Sequence, residues 1–388
     1  MLNGIIIIIG YYTFFHGVDY MNFKKLEMFL EDIEKEGCPF FGLKIVYKGE
    51  EVYKKICGLR EDKSPAGYDD VFFLYSCTKV VTAVAAMQMV EKGKFCLDDP
   101  VSKYIPEFEK LYAWESRVPV EKVLTIRHLL TMTSGYNYNF EKENLKKVSQ
   151  DKNATTLDVV KAMAKDYIEF FPGDIFCYGF GLDIVAAIVE VVSGMKFGEY
   201  VKKNIFEPLK MNNTTFEKDE KIIEKMLPQY RYNESEKSFN LVDKTNPFTL
   251  TDKFESGGAG LIGTINDYTK LVTVLANYGT SKDGYKLLSK ESIDAMKTNH
   301  LTNEKLMEYF FKKDGGYGYG LGVRTLIDNS KTGAPLGEFG WDSAACAYSM
   351  IDVENNVGVF FGCHTLGWGK GYQHHNKIRD LVYECLEF

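Results

Sequence analysis

The order of patterns along this chain predicts an α+β fold: an antiparallel sheet built from both chain ends with flanking helices, plus an inserted, mostly helical lobe. Three observations carry that expectation. Strand-like runs cluster near the two ends, in "FFGLKIVYKGEEVYKKICGL" from residue 40 and again from about residue 317. The long stretch between them is dominated by helical spacing. Terminal strands need partners and find them in each other, which leaves the middle as a second lobe and a cleft between the lobes as the usual place for a site.

Each element follows in turn. Over residues 22–36, Phe23, Leu26, Phe29, Leu30 and Ile33 recur at three-to-four spacing, a helix facing a core that Gly37 stops. The two strands after it turn around Lys48-Gly49-Glu50. "KVVTAVAAMQMVEKGK" is a helix closed by Gly93, and "TIRHLLTMTSG" a short one closed by Gly135. Residues 136–156 read as polar loop. Residues 181–193, "GLDIVAAIVEVVS", form a helix apolar on most sides and therefore buried. Residues 195–310 read as short helices and loops around the glycine-rich "ESGGAGLIG". From 317, "YGYGLGVRTLI" and "AACAYSMIDVENNVGVFFGCHTL" are strands, the latter turning at Glu354-Asn355-Asn356, and residues 372–387 return to helix. The expected organisation is an apolar extension over 1–20 and a single two-lobed domain over 21–388. The sheet lobe takes about 21–75 and 311–388, the helical lobe about 76–310.

Composition bounds the function. The 388 residues are 45% hydrophobic and 26% charged, ordinary for a globular chain. A net charge of -7 with interspersed signs argues against nucleic acid as a partner. The eight cysteines include no C-x-x-C pair, so they read as scattered thiols in a reducing, cytoplasmic setting, and no metal site is expected. The apolar start "MLNGIIIIIGYYTFF" is shorter than the roughly 20 residues of a membrane span. It lacks the basic flank and small-residue cleavage site of a signal peptide. The function expected below requires no membrane, although this start leaves association or export open. No P-loop or dinucleotide fingerprint appears, and no cofactor is expected.

The chain holds three S-x-x-K motifs, and their settings separate them. Ser149-Gln150-Asp151-Lys152 lies in a polar loop, and Ser193-Gly194-Met195-Lys196 at a helix C-terminus, where the dipole disfavours negative charge. Ser76-Cys77-Thr78-Lys79 opens an apolar helix, whose first-turn N–H groups favour developing negative charge. Lys79 falls one turn on, on the same face. Half-burial would lower its pKa and free it as a base for a hydroxyl that is a poor nucleophile unaided.

"LYSCTKVVTAVAAMQMVEKGKFCLDDPVSKYIPEF", "LTIRHLLTMTSGY", "FPGDIFCYGFGLDIVAAIVEVVSG" and "GGAGLIGTINDYTKL" occur in this order. Together they resemble the serine β-lactamase-like family, which includes class C β-lactamases, penicillin-binding proteins and related esterases. The resemblance runs from about residue 24 to 385 and implies a β-lactamase/transpeptidase-like fold. Residue 132 is Met where the family usually has His. The family's Tyr-x-Asn would be Tyr178-Gly179-Phe180, so Tyr178 shares the proton with Ser76 and Lys79 as phenol or phenolate. Phe180 stands where the Asn would contact a substrate amide. The literal Tyr20-Met21-Asn22 lies upstream of Ser76, in the wrong element. Asp183 makes Tyr178…Asp183 similar to the esterase-like branch, although it reads as an early-helix acid placed by the helix dipole.

Two segments compete for the third motif. Lys331-Thr332-Gly333 spells it but runs into Ala334-Pro335, and proline cannot donate in a central strand, so it reads as a surface loop. Trp341-Asp342-Ser343 is followed directly by a strand and a turn. On that alignment the backbone N–H groups of Ser76 and Ala344 form the oxyanion hole. Trp341 replaces the family's Lys or His, and Asp342 adds negative charge if it faces the cleft. Both disfavour anionic substrates. His128 is expected to pack or cap its helix, and His374 and His375 to lie on the surface of the last one. The resulting expectation is a serine hydrolase cleaving small esters through an acyl-enzyme on Ser76, its partner a small-molecule ester or amide. The alternatives are a β-lactamase or D-amino-acid peptidase of the same family, and a non-catalytic binding or assembly protein on the same fold.

Overall fold

Burial on both faces defines the central sheet. The computed structural model describes residues 7–9, 12–14, 20–301 and 316–386. The elements that position the site are α1 (Lys24–Lys35), β1 (Phe40–Tyr47), β2 (Glu50–Gly58), α2 (Thr78–Glu91), α3 (Gly181–Ser193), α4 (Ile265–Ala276), β3 (Tyr317–Tyr319), β4 (Arg324–Leu326), β5 (Phe339–Gly340), β6 (Tyr348–Asp352), β7 (Val357–Cys363) and α5 (Gly369–Cys385). Seven strands form one antiparallel sheet in the order β3-β4-β5-β6-β7-β1-β2. The two chain ends meet at the β7–β1 seam, where Val359 faces Ile45 and Phe361 faces Leu43. The antiparallel sheet from both ends is therefore the observed one.

Every residue of β1 and β7 is buried because helices cover both faces. On one side α1 and α5 bring Leu26, Leu30, Ile33, Ile378 and Val382 against Phe41, Leu43, Val359 and Phe361. On the other, α4 stacks Tyr268 on Phe360 at 4.3 Å between ring centroids. Glycine permits that approach: a Cβ on Gly42 would lie 2.3 Å from the Ile265 Cδ1 atom. The hairpin between β1 and β2 turns through Lys48 and Gly49, at φ 50° and 78°.

Two expectations are corrected. Residues 136–156 are not all loop, since Glu143–Val148 is helical and Asp166 accepts its Asn144 and Leu145 N–H groups. The stretch after 195 also contains a β-hairpin, Gln229–Asn233 with Ser238–Val242. Most of the proposed extension over 1–20 lies outside the described residues. Within it, strands at 7–9 and 12–14 pair with one another and with Tyr20–Asn22. Among the described residues no helix is long and apolar enough to cross a membrane.

Candidate active site

Ser76 sits in a 3-10 turn, Tyr75–Cys77, that runs straight into α2. The residue before it, Tyr75, holds a left-handed φ of 46°, a conformation costly for a side chain with a Cβ. Its surroundings hold it there: the ring is fully buried, and the hydroxyl donates to Gln229 Oε1 at 2.5 Å. Gln229 comes from the hairpin that sequence patterning missed.

Lys79 is one turn further on and completely buried. Its Nζ lies 2.7 Å from the Gly258 carbonyl, 2.9 Å from the Tyr138 hydroxyl and 3.4 Å from Ser76 Oγ. Burial pulls its pKa down to about 7, against the opposing pull of Asp183. A neutral amine has two hydrogens and one lone pair. With the hydrogens on Gly258 and Tyr138, the lone pair is left for the Ser76 proton.

Tyr178 completes the group. The Trp341 indole Nε1–H donates to its oxygen at 3.0 Å, and the Ser76 hydroxyl is its other partner. Lys79 Nζ stands over the phenol ring, 4.4 Å from its centroid. Burial raises the Tyr178 pKa, so at neutral pH this group is a protonated phenol.

Sequence reasoning missed Tyr138, which stands in the supposed polar loop and packs against Tyr178, Phe180 and Phe248. The one available signal was an unusual density of aromatics, Tyr136, Tyr138 and Phe140, in a segment read as loop. Asp183 was read as a helix-dipole acid, and the structure corrects this. It is fully buried, and its Oδ1 accepts from the Ser256 hydroxyl at 2.5 Å and from the Gly258 N–H at 3.1 Å. It thereby anchors the glycine-rich loop whose carbonyl binds Lys79. Burial raises the Asp183 pKa, with Ser256 and Lys79 acting against the rise.

A cavity of about 640 Å³ opens over Ser76, lined among others by Tyr178, Phe248, Trp341, Ala344 and Tyr372. Phe180 is not among its lining residues; its ring packs behind Tyr138, against Phe140. Asp342 does face the cavity, but its charge is compensated: Arg324 Nη1 donates to Oδ1 at 2.7 Å. Burial alone would raise the Asp342 pKa; Arg324 overcomes it and leaves the carboxyl below its usual range. Arg324 is itself occupied, since Nη2 donates to the Ser349 carbonyl at 2.9 Å.

Lys331-Thr332-Gly333 lies away from the cavity, in the loop between β4 and β5, with Thr332 donating to Asp380 of α5 at 2.6 Å. His128 caps its short helix together with Thr125. His374 and His375 are both buried rather than on the surface. The first turns of α5 are wedged between α1, where His374 meets Glu36 at 3.1 Å, and the segment after Trp341, where His375 meets the Cys346 carbonyl at 3.0 Å.

A family model described as Beta-lactamase matches residues 28–384. Among curated proteins, the lovastatin esterase of Penicillium rubens is 27% identical over 343 residues, covering 80% of this chain and 84% of the relative. Esterase EstB of Burkholderia gladioli is 28% identical over 363 residues, covering 86% and 88%. Among solved structures, EstCE1, described as a hydrolase with promiscuous acyltransferase activity, superposes with a TM-score of 0.76. That match has 23% identity and covers 93% of this chain and 98% of the other, a likeness of fold.

Proposed function

The chain belongs to the beta-lactamase family, whose members act on small ester or amide substrates, and from that premise we propose that it is a serine hydrolase cleaving small neutral esters through an acyl-enzyme. The observation that carries the reading is the set of three Lys79 contacts, which spends both amine hydrogens on fixed acceptors and turns the lone pair to Ser76. Lys79 takes the Ser76 proton as Oγ attacks the ester carbonyl, and the negative oxygen settles between the N–H groups of Ser76 and Ala344. On collapse Tyr178 gives its proton to the departing alkoxide and recovers one from the Lys79 ammonium. Water then repeats the sequence on the acyl-enzyme, and proton count and charge return to their starting values.

The cavity supports esters over β-lactams and D-amino-acid peptides. A substrate carboxylate needs a cation or good donors to offset its desolvation. Trp341 has committed its indole N–H to Tyr178, and Arg324 is engaged by Asp342 and Ser349. The aromatic walls favour an apolar acyl or alcohol group.

The test pairs a fluorophosphonate probe with two substrates. Labelling of wild type at Ser76, lost in Ser76→Ala without loss of folding, is expected. So is a kcat/KM for a p-nitrophenyl acetate or butyrate at least about a hundredfold above that for nitrocefin, as two missing polar contacts of order 1–3 kcal/mol each imply. Comparable turnover of nitrocefin would return the chain to the lactamases. Absence of both labelling and turnover would make it a binding protein.

A further inference from the structure

The turn that carries Ala344 has an unusual hydrogen-bond pattern. Four of the five backbone N–H groups from 343 to 347 are spent inside it. Ser343 N–H donates to Ala347 O at 2.8 Å and Cys346 N–H to Ser343 O at 3.0 Å. Ala345 and Ala347 N–H both donate to Ser343 Oγ, at 3.2 and 3.0 Å. Only Ala344 N–H has no acceptor among the described residues. The carbonyls are held from outside as well. Thr365 N–H reaches Ala345 O at 3.3 Å, and His375 Nε2 reaches Cys346 O at 3.0 Å. A carbonyl can only accept, so Nε2 carries the hydrogen. The remaining two, Ser343 O and Ala344 O, share one donor: the Tyr372 hydroxyl, 3.1 Å from each.

We propose that Tyr372 is a positioning residue for the oxyanion hole: by holding the Ser343 and Ala344 carbonyls it fixes the peptide plane from which Ala344 N–H points at the reacting oxygen. A trans peptide sets its N–H opposite its C=O, so gripping Ser343 O aims Ala344 N–H. A hydrogen bond to the carbonyl also polarises the amide and strengthens it as a donor. Tyr372 and His375 lie three residues apart on one face of α5, so the helix grips the turn at two points. The approach is close: a Cβ on Gly371 would lie 2.9 Å from Cys346 Sγ and 2.6 Å from the Trp368 ring. Tyr372 is 38% exposed and lines the cavity, with its hydroxyl directed at the turn. Because Cys346 N–H still holds Ser343 O when the phenol is gone, the turn loosens rather than collapses.

This inference rests on the serine-hydrolase reading, and its test separates the two. The experiment compares wild type with Tyr372→Phe, which keeps the ring and deletes the hydroxyl. It measures kcat and KM for a p-nitrophenyl ester, the affinity of a boronic acid that forms a tetrahedral adduct on Ser76, and the melting temperature. Tyr372→Phe is expected to lower kcat about tenfold, a fraction of the effect of deleting an oxyanion donor outright. KM should stay within about twofold, boronic-acid affinity should fall by the same factor as kcat, and melting should be nearly unchanged. An unchanged kcat and boronic-acid affinity would overturn the proposal. So would a rise in KM alone, which would mean that the phenol contacts substrate instead. Wild type that neither turns over the ester nor binds the boronic acid would overturn the hydrolase reading and this one together, and that failure is recognised because it precedes any substitution.

Discussion

One proton on Lys79 should set the acid limb of activity. The perturbation is pH alone. The folded-state pKa of about 7 lies below the ordinary lysine value of 10.5 because the amine is buried, and that burial outweighs the opposing pull of the Asp183 carboxylate. The difference corresponds to roughly 5 kcal/mol disfavouring the charged form. The base form is therefore about 9% populated at pH 6 and about 91% at pH 8, so kcat/KM should rise about tenfold over that interval and then level off. A solvent-exposed lysine would instead give a rate climbing tenfold per pH unit beyond pH 9. The sign for stability follows from the same shift. Between pH 7 and 10.5 the unfolded chain binds a proton that the folded chain does not, so this group makes folding less favourable as pH falls through that window and adds nothing further below it. The assay is kcat/KM for a p-nitrophenyl ester from pH 5.5 to 9 at fixed ionic strength, corrected for spontaneous hydrolysis. Asp183→Asn, which removes the neighbouring carboxylate that favours the ammonium, should move the limb acidward by about one unit, on the order of 1.4 kcal/mol. A limb above pH 9, or one that moves alkaline in Asp183→Asn, would refute the assignment of Lys79 as base.

Two further substitutions probe the same site from its edges. Lys331→Ala should leave kcat/KM within about threefold, because that loop faces Asp380 rather than the cavity; a hundredfold loss would mean that the wrong segment has been placed at the cleft. Asp342→Asn keeps an acceptor for Arg324 but removes the negative charge that compensates it, and should lower KM for a monoester of a dicarboxylic acid about tenfold relative to a neutral ester. It should also cost about 1–2 kcal/mol in chemical denaturation, a figure reduced because the carboxylate is 36% exposed, and an unchanged substrate preference would sink the argument.

What the sequence could tell was what is local or periodic. Ser76 and Lys79 are legible because three residues at the start of an apolar helix place two side chains on one face whatever surrounds them. The 181–193 helix is legible to the residue, for its apolar run ends at Gly194, which takes a left-handed φ of 70°. The loop placement of Lys331-Thr332-Gly333 is legible from Pro335. Tyr138 is not, because it reaches Lys79 from an irregular segment with no period to betray it. The pairing of Asp342 with Arg324 is not, because it joins β4 to the segment after β5, and an unpaired reading of Asp342 led to an expectation of repulsion that the guanidinium cancels. The burial of His374 and His375 escaped notice because polar residues at the start of α5 look solvated until the turn they grip is seen. The hairpin at 229–242 escaped although Tyr230 and Tyr232 alternate with polar residues in one strand and Phe239 and Leu241 in the other, because each strand is only five residues long and is mostly half-buried.

The seam between β7 and β1 has a consequence for how such a chain becomes competent during synthesis. Ser76, Lys79 and their helix emerge from the ribosome early, whereas Ala344, β7 and α5 emerge last. The first hairpin cannot complete its sheet until Phe361 arrives opposite Leu43. Long-range strand pairing of this kind closes slowly and leaves edges exposed meanwhile. On the proposed mechanism, until it closes Ser76 lacks the second oxyanion donor and Lys79, not yet sealed from water, remains an ordinary ammonium ion. If Ser76 is the nucleophile as proposed, a nascent chain on the ribosome carries it in a dormant form, and competence arrives with the last strand rather than with the serine itself.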